Sequence, residues 1–433
     1  MTHPEPLATA AAPRVEPTEP ASVTADFKDV LRDGRFRLLL LGNFVSTVGD
    51  WLAFMALFSL TSFEWKKGVS GVSLLGIAYT LPLALLSPVA GVWVDRWELR
   101  RVLVSTAALR ALMVLVMAVW PRFWATCLLL AVHQTVAGFF NPAQHSALAR
   151  LVRREHLLVA NALNTQGTQL TKILGPGIAG LLVAWLGPRG CFQFDAVMLM
   201  TAALLLTRLP RLPGITADRA PFAREFRAGL HFLEHAVRLR AVILLLTLGL
   251  CALGGYIAVM PIFARDRLEA GPRVMGFIVS GLGAGAALGA FAVTHSGKRW
   301  DKLWSICSGA CIAALSLWLV SRTFHVGMAL AASATLGFGA ICMLVPAYAL
   351  LQEETPPALL GRVLSLAIAA LSLAQVLGMA IAGAAASRLA PDHLLAWEAL
   401  LLGCAALVFC VWSLRRRGPR PGAGRDTCGL PST

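Results

Sequence analysis

Charged residues are scarce in this sequence. Asp, Glu, Lys and Arg together make up 14% of its 433 residues, and 57% of the residues are hydrophobic. Soluble domains carry about a quarter of their residues as charges, so this chain has too few charged side chains to solubilise its apolar surface. With a mean hydropathy of +0.69, the composition excludes an ordinary soluble domain and predicts an integral membrane protein.

Motifs for catalysis and for metal binding are also lacking. The sequence contains no Cys-x-x-Cys pair, no zinc-ligand spacing, no HExxH, no GxSxG and no Walker A sequence. The nine cysteines are scattered, mostly within apolar segments, and are interpreted as small buried residues. We therefore predict no metal, no cofactor and no ATP drive. A membrane enzyme and a non-transporting sensor are kept as remote alternatives.

Long apolar runs are what the sequence has in abundance. Apolar runs of about 18 residues or more predict membrane-spanning helices, and their continuity favours helices over the alternating strands of a barrel. We predict an all-α membrane protein with twelve transmembrane helices in two six-helix lobes. The predicted spans are 36–60, 69–94, 101–120, 123–143, 159–186, 190–208, 240–262, 273–294, 303–320, 326–350, 362–386 and 393–414.

The connections between the spans predict the domain organisation. Residues 1–27 are rich in Pro, Ala, Thr and Glu without an apolar core, which indicates a disordered cytoplasmic tail rather than a signal peptide. The longest connection, 209–239, contains an amphipathic helix pattern typical of a membrane surface. It separates an N-terminal lobe, 28–208, from a C-terminal lobe, 240–414, which a basic cytoplasmic tail, 415–433, follows.

Lys and Arg are distributed unevenly between the two sides of the predicted bundle. From residue 28 onward, the loops on the N-terminal side carry 26 of them and the loops on the other side carry 9. The positive-inside rule then predicts that both termini are cytoplasmic. The net charge of +15 is accordingly attributed to membrane orientation and to the bilayer as partner, not to nucleic acid. We expect a monomer.

The two halves of the sequence resemble each other weakly, and one loop carries a recognisable motif. An offset of about 204 residues brings Pro142 onto Pro346, which predicts a parallel repeat of six spans. The segment GVWVDRWELRR, 91–101, lies between spans 2 and 3. Its residues Gly91, Asp95, Arg96, Arg100 and Arg101 form a pattern that resembles the signature loop of the major facilitator superfamily.

Three further segments resemble the drug:proton antiporter-3 group of that superfamily, which contains macrolide-efflux and enterobactin-exporter-like proteins. They are FRLLLLGNFVSTVGDWL, FFNPAQHSALARLVRREHLLVANAL and ILGPGIAGLL. The resemblance implies transport of a small molecule by alternating access, with spans 1, 4, 7 and 10 lining a central cavity. It also implies that Asp95, Arg96 and Arg101 belong to a gate on the cytoplasmic side. The chain departs from the loop pattern at Glu98 and Leu99.

A few ionisable residues fall inside the predicted spans, where a charge costs roughly 2.5–3.5 kcal/mol. Asp50 on span 1 is the candidate for proton coupling, because the resemblance places span 1 at the cavity. The alternative is a static ion pair of Asp50 with Arg110 or Lys172. We predict that Arg110, Asp195 and Glu398 pair with other groups in the membrane and are structural.

Polar side chains on spans 4 and 5 are candidates for contact with substrate. Lys172 lies beside a Gly-Pro kink and is a candidate for holding an anionic substrate group, with an ion pair inside the lobe as the alternative. His133, Gln134, Gln166 and Gln169 are able to hydrogen-bond a substrate, and bonding between helices is the alternative.

Small residues and prolines predict where helices pack closely or bend. Gly281, Gly285 and Gly289 recur every four residues, which predicts a close packing face against span 11 or across the lobe interface. Prolines and glycines inside spans mark candidate hinges. The hinge candidates are Pro82, Pro88, Gly175, Pro176 and Gly180.

The leading functional prediction is proton-coupled efflux of a hydrophobic or amphipathic small molecule across a bacterial inner membrane. The sequence leaves other cargoes open. A dedicated exporter of an endogenous metabolite, such as a siderophore, and a lipid mover are the alternatives, and coupling to sodium instead of protons also stays open.

Overall fold

The computed structural model describes residues 29–94, 96–214, 230–296, 301–356 and 359–415. Within them, eleven helical segments are long and apolar enough to cross a membrane. The helices are α1 Gly34–Ser59, α2 Val69–Val94, α3 Leu99–Val119, α4 Phe123–Leu151, α5 Leu157–Thr207, α6 Val237–Asp266, α7 Pro272–Ser296, α8 Lys302–Arg322, α9 Val326–Glu354, α10 Leu360–Ala385 and α11 Pro391–Arg415.

Helix α5 consists of two membrane-crossing limbs. Gly187 interrupts it with φ 71° and ψ 168°, a backbone conformation that glycine adopts without steric cost. Pro188 follows and lacks the amide hydrogen that would continue the helix. The limbs 157–186 and 188–207 are the predicted spans 5 and 6, so the prediction of a twelve-helix membrane fold is confirmed.

The end of α4 corrects one predicted boundary. The sequence predicts that this span stops at residue 143, after Pro142 and before the polar residues Gln144 and His145. The helix continues to Leu151. The two polar side chains do not end the helix, since they line a cavity between helices and need no contact with lipid.

The sequence repeat is visible in the positions of the helices. Leu99 and Lys302, which begin α3 and α8, are 203 residues apart, and so are Phe123 and Val326, which begin α4 and α9. The offset of about 204 is therefore 203 where helix starts are compared. We call α1–α5 the first lobe and α6–α11 the second lobe, and equivalent residues are those separated by 203 positions.

We call the end of the bundle that carries the turn between α2 and α3 the basic face, and the other end the opposite face. Contacts between the lobes lie in the half near the opposite face. There the α5 glycine Gly180 meets Gly276 of α7, and Ser73 of α2 meets Gly383 of α10. The Arg265 guanidinium also donates to the backbone carbonyl of Ser62.

The glycine stripe on α7 packs within the second lobe. Gly281, Gly285 and Gly289 face the backbone carbonyls of Leu330, Ala334 and Phe338 on α9. The prediction of contact with span 11 or with the first lobe was therefore wrong. Close approach of two backbones requires small side chains, and the sequence pattern identifies such a face without identifying the helix that packs on it.

Some sequence predictions are only partly covered by the structure. Most of the predicted amphipathic helix lies in 215–229, outside the described residues, and 230–235 is helical. The domain boundaries stay predictions. The cysteines are mostly buried or half-buried as expected, but Cys307 of α8 is paired with Cys410 of α11, with a Cα–Cα distance of 5.8 Å.

Candidate functional site

A buried ion pair stands at the centre of the first lobe. The Arg110 guanidinium on α3 donates through Nη2 to the Asp50 carboxylate on α1. The Arg110 side chain is 2% exposed, whereas the Asp50 side chain is 31% exposed. The pair therefore presents its acid to a solvent-accessible space and keeps its cation inside the lobe.

The other nitrogens of Arg110 are also occupied. Its Nη1 donates to the Ser46 hydroxyl at 3.1 Å, and its Nε donates to Nε2 of His133 at 3.3 Å. The ring of Phe140 lies 5.9 Å from the guanidinium carbon. Because His133 accepts a hydrogen bond through Nε2, its imidazole is neutral in this arrangement. His133 therefore makes the contact between helices that was the alternative, and its predicted contact with substrate stays a prediction.

A cavity of about 540 Å³ opens beside the exposed edge of Asp50. It lies in the half of the bundle near the basic face, and its volume falls in the usual range for small-molecule sites. The residues that line it come from α1, α2, α4 and the first limb of α5. They are Asn43, Thr47, Asp50, Trp51, Tyr79, Asn141, Gln144, His145, Asn164, Thr165 and Thr168.

Two amide side chains on this wall donate hydrogen bonds to a third. The Asn164 Oδ1 atom on α5 accepts from Nδ2 of Asn43 at 3.2 Å and from Nε2 of Gln144 at 2.9 Å. The network therefore ties α1, α4 and α5 together and holds the three amides in fixed orientations. Hydrogen bonds of this kind between membrane helices contribute about 0.6–2 kcal/mol each.

Two further acids, one fully buried and one half-buried, lie on the last helical limb of each lobe. Asp195 on the second limb of α5 is fully buried and faces Gly49 of α1, and neither of its oxygens has a hydrogen-bond partner among the described residues. Glu398 on α11 faces Gly255 of α6 in the same way. The two acids are equivalent residues in the repeat. The predicted pairing of Asp195 and Glu398 with a cation is not seen in the described part of the chain.

The turn between α2 and α3 forms ion pairs with itself. Glu98 pairs with Nε of Arg101 at 2.7 Å and with Nε of Arg100 at 3.5 Å. Arg100 also donates to the backbone carbonyl of Leu209 at 3.2 Å, and Arg96 is exposed. Glu98 departs from the loop pattern of the resembled family, and in the structure it is the anion that pairs with Arg100 and Arg101.

Several predicted site residues lie outside the described side chains. Asp95 is not described, and for Pro88, Gly91, Gln169 and Lys172 the structure describes the helix without the side chain. Their predicted roles in gating, bending and substrate contact stay predictions.

Two glutamines predicted to contact substrate do not line the cavity. Gln134 is buried within the lobe, and Gln166 is exposed but not among the cavity-lining residues. Both predictions are therefore unsupported by their positions, because the sequence indicates a polar helix without indicating which way each side chain points.

Two of the described hinge candidates, Gly175 and Gly180, serve close packing. A side chain at Gly175 would overlap the Trp51 ring, and one at Gly180 would overlap Gly276 and the Pro272 carbonyl of α7. Pro82 lies within α2, which is continuous through it. These glycines allow α5 to approach α1 and the second lobe, and their action as hinges stays a prediction.

Sequence reasoning missed most of the cavity wall. The signal was present as helical spacing, since Asn43 and Thr47 are four residues apart, as are Asn141 and His145, and Asn164 and Thr168. Other polar residues of spans 4 and 5 were proposed from the sequence, and these groups were overlooked. No group of three His, Cys, Asp or Glu residues that could hold a metal occurs in the described ranges.

Comparison with known proteins supplies the family. The family model of the Major Facilitator Superfamily matches residues 39–379. The chain therefore belongs to the Major Facilitator Superfamily. Family and fold are those of small-molecule transporters rather than of enzymes, and the eleven apolar helical segments fit a multi-pass membrane protein.

Particular relatives are efflux proteins. Macrolide efflux protein A of Streptococcus pyogenes is 24% identical over 391 residues, which cover 86% of this chain and 95% of that protein. Enterobactin exporter EntS of Escherichia coli O1:K1 / APEC is 27% identical over 370 residues, covering 82% and 86%.

The fold also matches solved structures. A bacterial homolog to the human lysosomal transporter Spinster, in an inward-facing and unoccupied conformation, superposes with a TM-score of 0.66. The match covers 88% of this chain and 95% of that one at 15% sequence identity, so the likeness concerns the fold.

Proposed function

We propose that this chain is a proton-coupled exporter of a hydrophobic or amphipathic small molecule in a bacterial cytoplasmic membrane. Both termini are cytoplasmic in this proposal, because the basic face carries most of the Lys and Arg. The chain acts as a monomer in the bilayer. The efflux proteins among the relatives support the direction of transport.

The observation that carries the proposal is the position of Asp50. Its carboxylate reaches the cavity, whereas its counter-ion Arg110 is buried behind it. A proton that arrives through the cavity neutralises Asp50 and leaves the Arg110 charge without its anion in a low-dielectric interior. Breaking a buried pair in this way costs several kcal/mol, so protonation favours a rearrangement of α1 against α3.

The arrangement of the lobes supports alternating access. The lobes meet near the opposite face and the cavity lies near the basic face, so the conformation is open to the cytoplasm in this proposal. Closing that side brings the turn 96–101 towards the second lobe. The ion pairs of Glu98 with Arg100 and Arg101 then compete with contacts across the lobes. This competition biases the equilibrium between the two states.

An anionic siderophore fits the described wall less well. Such a cargo favours unpaired cations, and the one cation that the structure places next to this cavity, Arg110, is bound to Asp50, Ser46 and His133. A dedicated metabolite exporter therefore remains the second choice.

The test follows accumulation of a panel of labelled compounds in an efflux-deficient bacterium, with and without a proton uncoupler. Wild type is expected to lower accumulation of at least one compound, and the uncoupler is expected to abolish that effect. Asp50→Asn is expected to behave like uncoupled wild type. The matched control is Glu155→Gln, because Glu155 lies outside the cavity on the first lobe, is largely exposed and pairs with its neighbour Arg153.

Two results would contradict the proposal. Export that survives the uncoupler would exclude proton drive. Normal uncoupler-sensitive export by Asp50→Asn at equal expression would make the Asp50–Arg110 pair a static structural contact.

A further inference from the structure

The cavity wall in the first lobe is polar, and the charge on its described lining residues is balanced. Among its eleven described lining residues, Asp50 is the one Asp, Glu, Lys or Arg side chain, and Arg110 compensates its charge from behind. The rest of the wall is mostly amide and hydroxyl groups. Such a surface recognises a ligand through hydrogen bonds rather than through net charge.

Part of this hydrogen-bonding capacity is free for a ligand. The oxygens of Asn43 and Gln144 and the amide nitrogen of Asn164 have no described partner, although the three side chains are fixed by the bonds to Asn164 Oδ1. Donors and acceptors held in place before binding lose little conformational freedom when a ligand arrives.

The positions equivalent to this wall are apolar in the second lobe. Thr47 corresponds to Leu250, Gln144 to Ala347 and Asn164 to Ala367. None of the eleven equivalents carries an amide, a carboxylate or an imidazole, and Tyr348, the equivalent of His145, has the one hydroxyl. In a two-lobed transporter the substrate site lies between the lobes, where equivalent helices face each other.

We infer that the cargo is an amphiphile with an uncharged head group rich in hydroxyl or amide groups, bound with its head against the first lobe and its apolar body against the second. This inference rests on the proposed function only in taking the cavity as the cargo site. Burial of the apolar body supplies most of the affinity, and the amide network supplies the selection for the head group.

The test uses the full chain in lipid nanodiscs and measures equilibrium binding of radiolabelled octyl glucoside, with empty nanodiscs as the background. Unlabelled octyl glucoside, octyltrimethylammonium and octyl sulfate compete, so that the chain length is constant and the head group changes. We expect the two charged compounds to compete at least tenfold more weakly than octyl glucoside. Free glucose, which lacks the apolar body, is expected not to compete.

Variants locate the head group. Asn164→Ala is expected to weaken binding at least fivefold. Its matched control is Asn161→Ala, on the same helix, because Asn161 is exposed and donates to the Leu157 carbonyl. Thr168→Val tests the same wall without removing the network, and is expected to weaken binding about twofold.

Three results would overturn the inference: equal or tighter competition by a charged head group, unchanged binding by both Asn164→Ala and Thr168→Val, or no binding above empty nanodiscs. The proposed function fails separately. Binding that depends on Asn164 without uncoupler-sensitive export would refute proton-coupled export and leave the head-group inference standing. Uncoupler-sensitive export without binding that depends on Asn164 would refute the head-group inference and leave proton-coupled export standing.

Discussion

Residue 50 in the first lobe is aspartate, and its equivalent in the second lobe is Leu253. The other residues of the buried Asp50–Arg110–His133 network also have apolar equivalents, since Arg110 corresponds to Ala313 and His133 to Leu336. The two lobes share a helical framework and an acid on the last helix, Asp195 or Glu398. They differ in the side chains at the equivalent positions of that network, which are ionisable in the first lobe and apolar in the second.

Several glycines of the second lobe bring helix backbones into close contact. Gly285 meets the carbonyl of Ala334, Gly337 meets that of Leu282, and Gly254 meets that of Gln375. The repeat determines the helical framework, whereas side chains at a few equivalent positions give the two lobes different chemistry. In the proposed mechanism the first lobe provides charge and hydrogen bonds, and the second lobe provides apolar side chains at the equivalent positions.

The largest effect is expected from enlarging a glycine in the second lobe. Gly285→Val pushes α7 away from the Ala334 backbone, which cannot be relieved by rotating a side chain. We expect a loss of about 3 kcal/mol of stability, the upper end for overpacked sites, seen as a much lower melting temperature in detergent. Gly327→Val is the control, since nothing lies within 4 Å of a side chain there. Equal melting temperatures for the two variants would refute the packing assignment.

A somewhat smaller effect is expected from Arg110→Ala in the first lobe. It leaves Asp50 without its counter-ion, and we expect a loss of about 2 kcal/mol, below the usual range for a fully buried pair because Asp50 is partly exposed. The double variant Asp50→Leu, Arg110→Ala copies the second lobe. It is expected to recover most of the melting temperature while transport stays absent. If the double variant is no more stable than the single one, the pair does not couple as described.

The contact between the lobes gives a conformational prediction. Gly180→Val separates α5 from Gly276 near the opposite face, so the cytoplasm-open state is expected to lose population. In a chain without native cysteines, labelling of Thr168→Cys by an impermeant maleimide from the basic face should fall several-fold. Gly361→Val is the control, because Gly361 faces open space. Unchanged labelling would place the restraint between the lobes elsewhere.

The smallest effect is expected from removing the ionisable proton of the two equivalent acids. Asp195→Asn and Glu398→Gln keep the shape of the side chains, and neither acid forms an ion pair in the described structure. We expect each melting temperature to change by an amount that corresponds to less than about 1 kcal/mol. A large loss for either variant would indicate a charged partner that this account omits.

The fold was predictable from the sequence to a large extent, because long apolar runs have few solutions in a membrane. The resemblance in the loop 91–101 added the family. The site was less predictable. The Asp50–Arg110 pair was one of two alternatives, since spacing along the chain does not say which helices touch. The amide wall was missed, because Asn and Gln in a helix are as consistent with contacts between helices as with a cavity.

In the proposed mechanism the first lobe, through Asp50, carries the coupling proton. This role is tested in proteoliposomes with a compound that the cell assay identifies, by measuring both equilibrium exchange and uptake driven by a pH gradient in wild type, Asp50→Asn and Glu398→Gln. The account predicts that Asp50→Asn retains exchange and loses gradient-driven uptake, whereas Glu398→Gln retains both. Gradient-driven uptake by Asp50→Asn, or its loss in Glu398→Gln alone, would contradict the account.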